Sequence, residues 1–278
     1  MTRVLRLQYW LLIAPAVIAM LVFYIWPLGE IFWLSISEPT LGLGNYAELL
    51  TNSTLHAIWL TTLRICVVTT VITVVLGYIV ALGITMVGRG QRTWMMFCVL
   101  LTLWLSVLIR AFAWIMLLNN QGLINEGLMA IGIIDQPLRL VRNEFGVLVG
   151  MVHFMLPLAI LPIYSNMSGI QPALVAAARG LGASPWKAFR LVFLPLSKPG
   201  IIAASILVFV FSLGFFITPA LLGGGRVVMI SEYIRVSFEE TLRWGQASML
   251  ATSLLFVVLL GLALVARFVD LRRVFGAT

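Results

Sequence analysis

Val175-Ala-Ala-Ala-Arg-Gly-Leu-Gly-Ala-Ser-Pro-Trp-Lys-Ala-Phe-Arg-Leu-Val-Phe-Leu-Pro195 is the longest helix-compatible polar break in a chain otherwise made of apolar runs. Ala176, Ala177 and Ala178 precede Gly182, Ala183 follows it, and Leu194-Pro195 closes the segment. Arg179, Lys187 and Arg190, with Lys198 just beyond, are its formal charges. A smooth, small-residue surface flanked by cations suits close approach by a partner, so function is sought here rather than in the hydrophobic bulk.

The chain on either side reads as membrane. Of 278 residues, 62% are hydrophobic and 10% charged, against about 25% charged in an average soluble domain. At about 20 apolar residues per crossing, six spans are predicted: 10–36, 58–87, 93–118, 145–166, 199–222 and 246–268. The fold class is therefore an all-α integral membrane protein, a single transmembrane domain over 1–278. Arg3 and Arg6 ahead of the first apolar run resemble a signal peptide, but the run continues to about Ile36, so a retained first helix is expected.

Charge sets the orientation. With the N-terminus inside, the inner segments carry Arg3, Arg6, Arg89, Arg92, Arg179, Lys187, Arg190, Lys198, Arg267, Arg272 and Arg273 against Asp270 alone. The outer segments carry Arg139, Arg142, Arg226, Arg235 and Arg243 against nine acids. The basic-residue bias places both termini in the cytoplasm, and accounts for the net charge of +8 without nucleic acid: no basic stripe with interleaved aromatics occurs.

The chemistry of an enzyme is missing. There is no G-x-x-x-x-G-K-[ST] phosphate loop, no metal-spaced cluster and no nucleophile signature. Cys66 and Cys98 sit in apolar runs and read as buried, inert thiols; His56 reads as a loop residue, and His153 either packs or lines a path. Arg64 and Arg110 fall inside predicted spans. A charge in hydrocarbon costs about 2.5–3.5 kcal/mol, so each must snorkel or face protein or water. Arg64 reads as snorkelling or structural. For Arg110, among Trp104, Phe112 and Trp114, three readings stand open: snorkelling into an aromatic belt, a gate or path residue, or an ion pair with a partner subunit. Pro157, Pro162 and Pro219 mark kinks or helix ends. Gly223 to Gly225 form a turn. Ile230, Ile234, Phe238 and Leu242, four apart among charges, predict an amphipathic helix on the outer surface.

The segment Val175–Pro195 resembles the E-A-A-x3-G-x9-I-x-L-P loop of the membrane subunits of ATP-binding-cassette importers. Ala177 and Ala178 stand at the two alanines, Gly182 at the glycine, Val192 at the isoleucine and Leu194-Pro195 at the end. Ala176 replaces the glutamate, so a salt bridge through that residue is not implied. Leu108-Ile-Arg-Ala-Phe-Ala-Trp114, Gly122-Leu-Ile-Asn125, Pro137-Leu-Arg-Leu140 and Phe216-Ile-Thr-Pro-Ala-Leu-Leu-Gly-Gly224 are similar to the B-type subunits of spermidine/putrescine permeases.

The resemblance implies a type I importer permease in a bacterial inner membrane. It also implies a second related permease (a heterodimer), two cytoplasmic ATPase subunits and a periplasmic solute-binding protein. ATP and Mg belong to the ATPase, and this chain, itself no enzyme, binds no cofactor. A coupling loop over 166–198 would dock on the ATPase through Ala176, Ala177, Ala178, Arg179, Gly182, Ala183, Val192, Leu194 and Pro195. Arg110, Trp114, Phe215, Thr218 and Pro219 are the candidate path or gate residues. The expected cargo is a small charged organic solute, polyamine-like, or alternatively amino-acid-like, opine-like or an aminophosphonate. A self-sufficient secondary transporter is the rival class; it predicts intramembrane carboxylates or an inverted repeat, and neither is found.

Overall fold

The computed structural model describes residues 12–268, without the side chains of 264–266 and 268. Arg3, Arg6, Asp270, Arg272 and Arg273, on which part of the orientation argument rests, lie outside these residues. Among the described residues six stretches are long and apolar enough to cross a membrane: Leu12–Ser37, Ser53–Met86, Val107–Ala130, Glu144–Ser168, Pro185–Leu213 and Trp244–Ala263. The described residues pack as two compact units, one of 12–56 with 233–257, the other of 57–232 with 258–268.

In the first unit, α1 (Leu12–Ser37) carries a π-turn at Leu21–Ile25, and α2 is Gly44–Thr51. Buried Asn45 joins them: its Nδ2 donates to Ser35 O at 3.0 Å and Glu38 O at 2.7 Å. Gly245 sits so close to Glu38 that a Cβ would stand 2.1 Å from Glu38 O. Gln246 Nε2 donates to Glu48 Oε1 at 3.2 Å.

The second unit contains most of α3 (Ser53–Met86), then α4 (Arg89–Trp104), α5 (Val107–Leu118), α6 (Leu123–Ala130) and α7 (Glu144–Ser168). Its core is a seam of three helices: Val74, Ala81 and Ile84 of α3, Met155, Ala159, Ile160, Ile163 and Met167 of α7, and Ala204 and Val208 of a later helix. Small residues allow the approach, as membrane helix contacts require. A Cβ on Gly200 would lie 2.7 Å from Asn166 Cβ and 3.1 Å from Ile163 Cα; one on Gly77 would lie 3.0 Å from Ala159 Cβ. α7 starts cleanly because Asn143 Oδ1 accepts from Gly146 N at 3.0 Å and Glu144 lies in the positive first turn.

Several expectations change. The third predicted span, 93–118, is two helices, α4 and α5, with extended backbone at Leu105 (ψ 135°) and Ser106 (ψ 138°). The fifth, 199–222, begins earlier and ends earlier: helix runs from Pro185 to Leu213, breaks at Gly214–Phe216, and resumes as Ile217–Gly223. His56 lies in helix, not loop, with Nε2 2.8 Å from Leu49 O. Cys66 is buried, but Cys98 is exposed. The amphipathic helix stops at Glu239; Leu242 lies beyond it, exposed, with φ +54°. Within it, Arg235 donates to Glu239 at 2.9 Å and Glu240 at 3.0 Å, and these bonds raise its pKa.

Candidate functional site

Both candidate regions lie in the second unit. α8 (Pro172–Gly180) starts at a proline, whose missing N–H costs nothing there, and ends in a C-terminal cap. Leu181 N donates to Ala177 O, Gly182 N to Arg179 O and Ala183 N to Ala178 O, at 3.0–3.1 Å. Gly182 takes φ +88°, with open space around its Cβ position. Its role in this fold is therefore to turn the chain; beyond its chain neighbours, no described residue lies within 4 Å of its Cβ position.

The chain then enters α9 at Ser184, whose Oγ accepts from Lys187 N at 3.3 Å, with Pro185 as first residue. α9 covers Pro185–Leu213 and contains a π-turn at Phe189–Phe193, where Leu194 N donates to Phe189 O. Val192, Leu194 and Pro195, expected in a loop, are thus helical. Phe189 stacks between Trp186 (5.6 Å) and Phe193 (6.0 Å) and meets the edge of Tyr78 (6.4 Å). Tyr78 OH is 3.1 Å from Ser197 Oγ. This column fixes α9 against α3.

No residue of α8 is buried. Leu174 and Trp186 are exposed, Leu181 is 91% exposed, and Ala176, Ala177 and Gly182 share the exposed surface. A cleft of about 610 Å³ opens behind α8, between its Val175, Ala176 and Arg179 and the end of α3 at Leu82, Thr85 and Met86.

The second region forms around α7. α10 (Ile217–Gly223) packs on α5 and α7. A Cβ on Gly150 would come within 2.4 Å of Leu222 Cδ1 and 2.5 Å of Thr218 Cγ2. Thr218 and Pro219 are buried. Trp114 Nε1 donates to His153 Nδ1 at 3.1 Å, so His153 is a partnered packing residue. Arg110 is 6% exposed, which removes the snorkelling reading: its Nη2 donates to Leu105 O at 2.8 Å, and its Cζ lies 4.5 Å from the Phe154 centroid. Phe215 covers the same ring, centroid to centroid 4.5 Å. Four of the five candidate residues, Arg110, Trp114, Phe215 and Thr218, therefore meet one stretch of α7, Gly150–Phe154. Phe154 and Leu105 are members of this cluster that composition did not single out. Arg64 makes a structural pair, Nη2 to Glu144 Oε2 at 2.6 Å.

Beyond the cluster, two of the sequence motifs prove to be one device. Asn125, fully buried, donates to Asn119 O and Leu138 O at 3.0 Å and accepts from Leu138 N at 2.8 Å. The loop after α6 is thereby stapled to its start. Among the described residues no group of His, Cys, Asp and Glu forms a metal site.

Residues 73–273 match the family described as binding-protein-dependent transport system inner membrane component. The chain is 32% identical over 222 residues to the spermidine/putrescine transport system permease protein PotB of Escherichia coli (strain K12), covering 80% of each. It is 29% identical over 201 residues to the sn-glycerol-3-phosphate transport system permease protein UgpA of Escherichia coli O6:K15:H31 (strain 536 / UPEC), covering 68% of each. Its fold is similar to that of a chain in the bacterial alginate ABC transporter solved with an alginate pentasaccharide-bound periplasmic protein. The TM-score is 0.76 and the identity 21%, over 94% of this chain and 96% of that one.

Proposed function

The chain belongs to the family of binding-protein-dependent transport inner membrane components, and from that premise we propose that it is one of two permease subunits of an ATP-driven importer, with docking at α8 and a path along α7. The observation that carries the docking assignment is the surface of α8 and the turn after it: a fully helical, capped segment with no buried residue and an outermost leucine at Leu181. Such a surface is left uncovered by the described residues of its own chain and matches the residues implied by the motif. α8 seats in a groove of a cytoplasmic ATPase, with Ala177 facing it at close range. Arg179, Lys187 and Arg190 supply charge at the rim. With Ala176 in place of a carboxylate, affinity comes from packing.

ATP closes the two ATPase subunits, draws the two docking helices together and switches the paired permeases between inward- and outward-facing states by rigid-body motion. ATP must bind one state better than the other, since equal binding shifts nothing. A periplasmic binding protein delivers the solute, the membrane is a bacterial inner membrane, and the basic-residue bias puts α8 on its cytoplasmic side. The names of the relatives favour a polyamine-like cargo. The buried cation Arg110 favours a second reading, a solute that also bears a carboxylate.

Affinity purification of the tagged chain from native membranes tests the importer reading. A second permease and an ATPase are expected to co-purify in stoichiometric amounts. A homogeneous oligomer of this chain alone that moves solute after reconstitution would replace it with a secondary transporter.

A further inference from the structure

The break before α5 and the side chain of Arg110 bring two sources of positive potential to one place. At 1.5 Å per residue α4 is about 24 Å long, and the helix unwinds after it at Leu105 and Ser106. α5 then starts afresh for twelve residues with no side-chain cap from Ser106. Its first amides have no acceptor within the helix, and the helix dipole adds positive potential there. Arg110, one turn in, folds back so that Nη2 reaches Leu105 O, which holds the guanidinium at the break.

That guanidinium is incompletely satisfied. Nε and Nη1 are buried without a hydrogen-bond partner. Among the described residues the ion pairs are Arg64–Glu144 and Arg235 with Glu239 and Glu240; Arg110 has none. The face of Phe154 attracts the cation, but it leaves the in-plane N–H groups empty. A planar cation with free donors at the start of a helix matches a group with two oxygens on one edge, accepted as a fork. A bare polyamine suits the site poorly. The cation would repel it, and the aromatic face it would need is taken by Arg110 and Phe215.

We propose that Arg110 and the N-terminus of α5 form a receiving site for a carboxylate in the translocation path. The proposal rests on the importer reading. The carboxylate comes either from the transported solute or from a side chain of the second permease.

The test uses the complete complex in lipid nanodiscs. Its melting temperature is titrated with sodium acetate against sodium chloride at fixed ionic strength, for the native complex, Arg110→Lys and Arg110→Gln. A solute-derived carboxylate predicts a saturable acetate rise in the native complex. It is about tenfold weaker in Arg110→Lys, which keeps the charge but loses the fork, and absent in Arg110→Gln. A carboxylate from the second permease predicts no acetate response. Instead, a membrane-permeant carbodiimide joins the new amine of Arg110→Lys to the second permease, and peptide mass spectrometry locates the link. If the complex shows no acetate response and no cross-link, the proposal is overturned. Absence of the ATPase and second permease from the native preparation would instead overturn the importer reading.

Discussion

Gly245→Ala is expected to leave little folded protein in the membrane. The added Cβ would stand 2.1 Å from Glu38 O, 2.7 Å from Glu38 C and 3.0 Å from Asn45 Nδ2. The first two are backbone atoms, and Asn45 pins that carbonyl with a 2.7 Å bond, so no flexible side-chain end can swing away. Overpacking against yielding neighbours costs about 1–3 kcal/mol; with backbone as the obstacle the loss should exceed about 3 kcal/mol, among the largest single-residue effects. Asn45→Ala removes the pin instead, leaving the carbonyls of Ser35 and Glu38 short of a donor, at about 1–3 kcal/mol. Because both changes act on Glu38 O, the double variant should lose less than the sum. Detergent-extracted yield and melting temperature measure all three. A Gly245→Ala protein melting like the native one would show that α11 (Trp244–Phe268) does not approach Glu38 in the membrane.

Leu181→Asp should do the opposite, sparing the fold and cutting the machine in two. Leu181 is 91% exposed, so its replacement should change stability by no more than about 0.5 kcal/mol. At the centre of a docking surface the same change removes an apolar anchor and buries a charge, for a loss of about 2 kcal/mol or more. That lowers ATPase retention on the tagged chain by more than about tenfold, and ATP-driven uptake should fall with it. Gly182→Trp is expected to weaken docking as well, but less cleanly, because φ +88° at that position strains any side chain by about 1–2 kcal/mol. Full ATPase recovery with Leu181→Asp would remove the docking surface from α8.

The crossings were legible because hydropathy reports partitioning into lipid, and long apolar runs such as Ser53–Met86 leave no alternative. The cap around Gly182 was legible because one backbone conformation demands one residue type. Continuity was not. Trp104-Leu-Ser-Val107 contains neither glycine nor proline, and nothing local announces that the helix stops there. The break is sustained by a side chain rather than by the backbone: the carbonyl of Leu105, which Ile109 N would serve in an unbroken helix, is served by Arg110 Nη2. The three readings of Arg110 stayed open in the sequence for a related reason, since its burial depends on Phe154 in a helix that starts 34 residues later. At the other end of the site, Pro195 read as a loop ending. A proline inside a helix, just after a π-turn, gives the same local signal as one that closes a loop.

That π-turn also clocks the molecule. One surplus residue in a helix is worth about 100° about its axis. Everything before Phe189, Trp186 and the docking turn included, is rotated by that angle from where an unbroken helix would aim it, relative to the face that Ser197, Gly200, Ala204 and Val208 bury. An insertion of this kind leaves a signature in descent. Relatives without the bulge should align with a single-residue gap inside 189–193, and a family member that loses the residue must either re-aim its docking helix or recover the angle in the turn before Pro185.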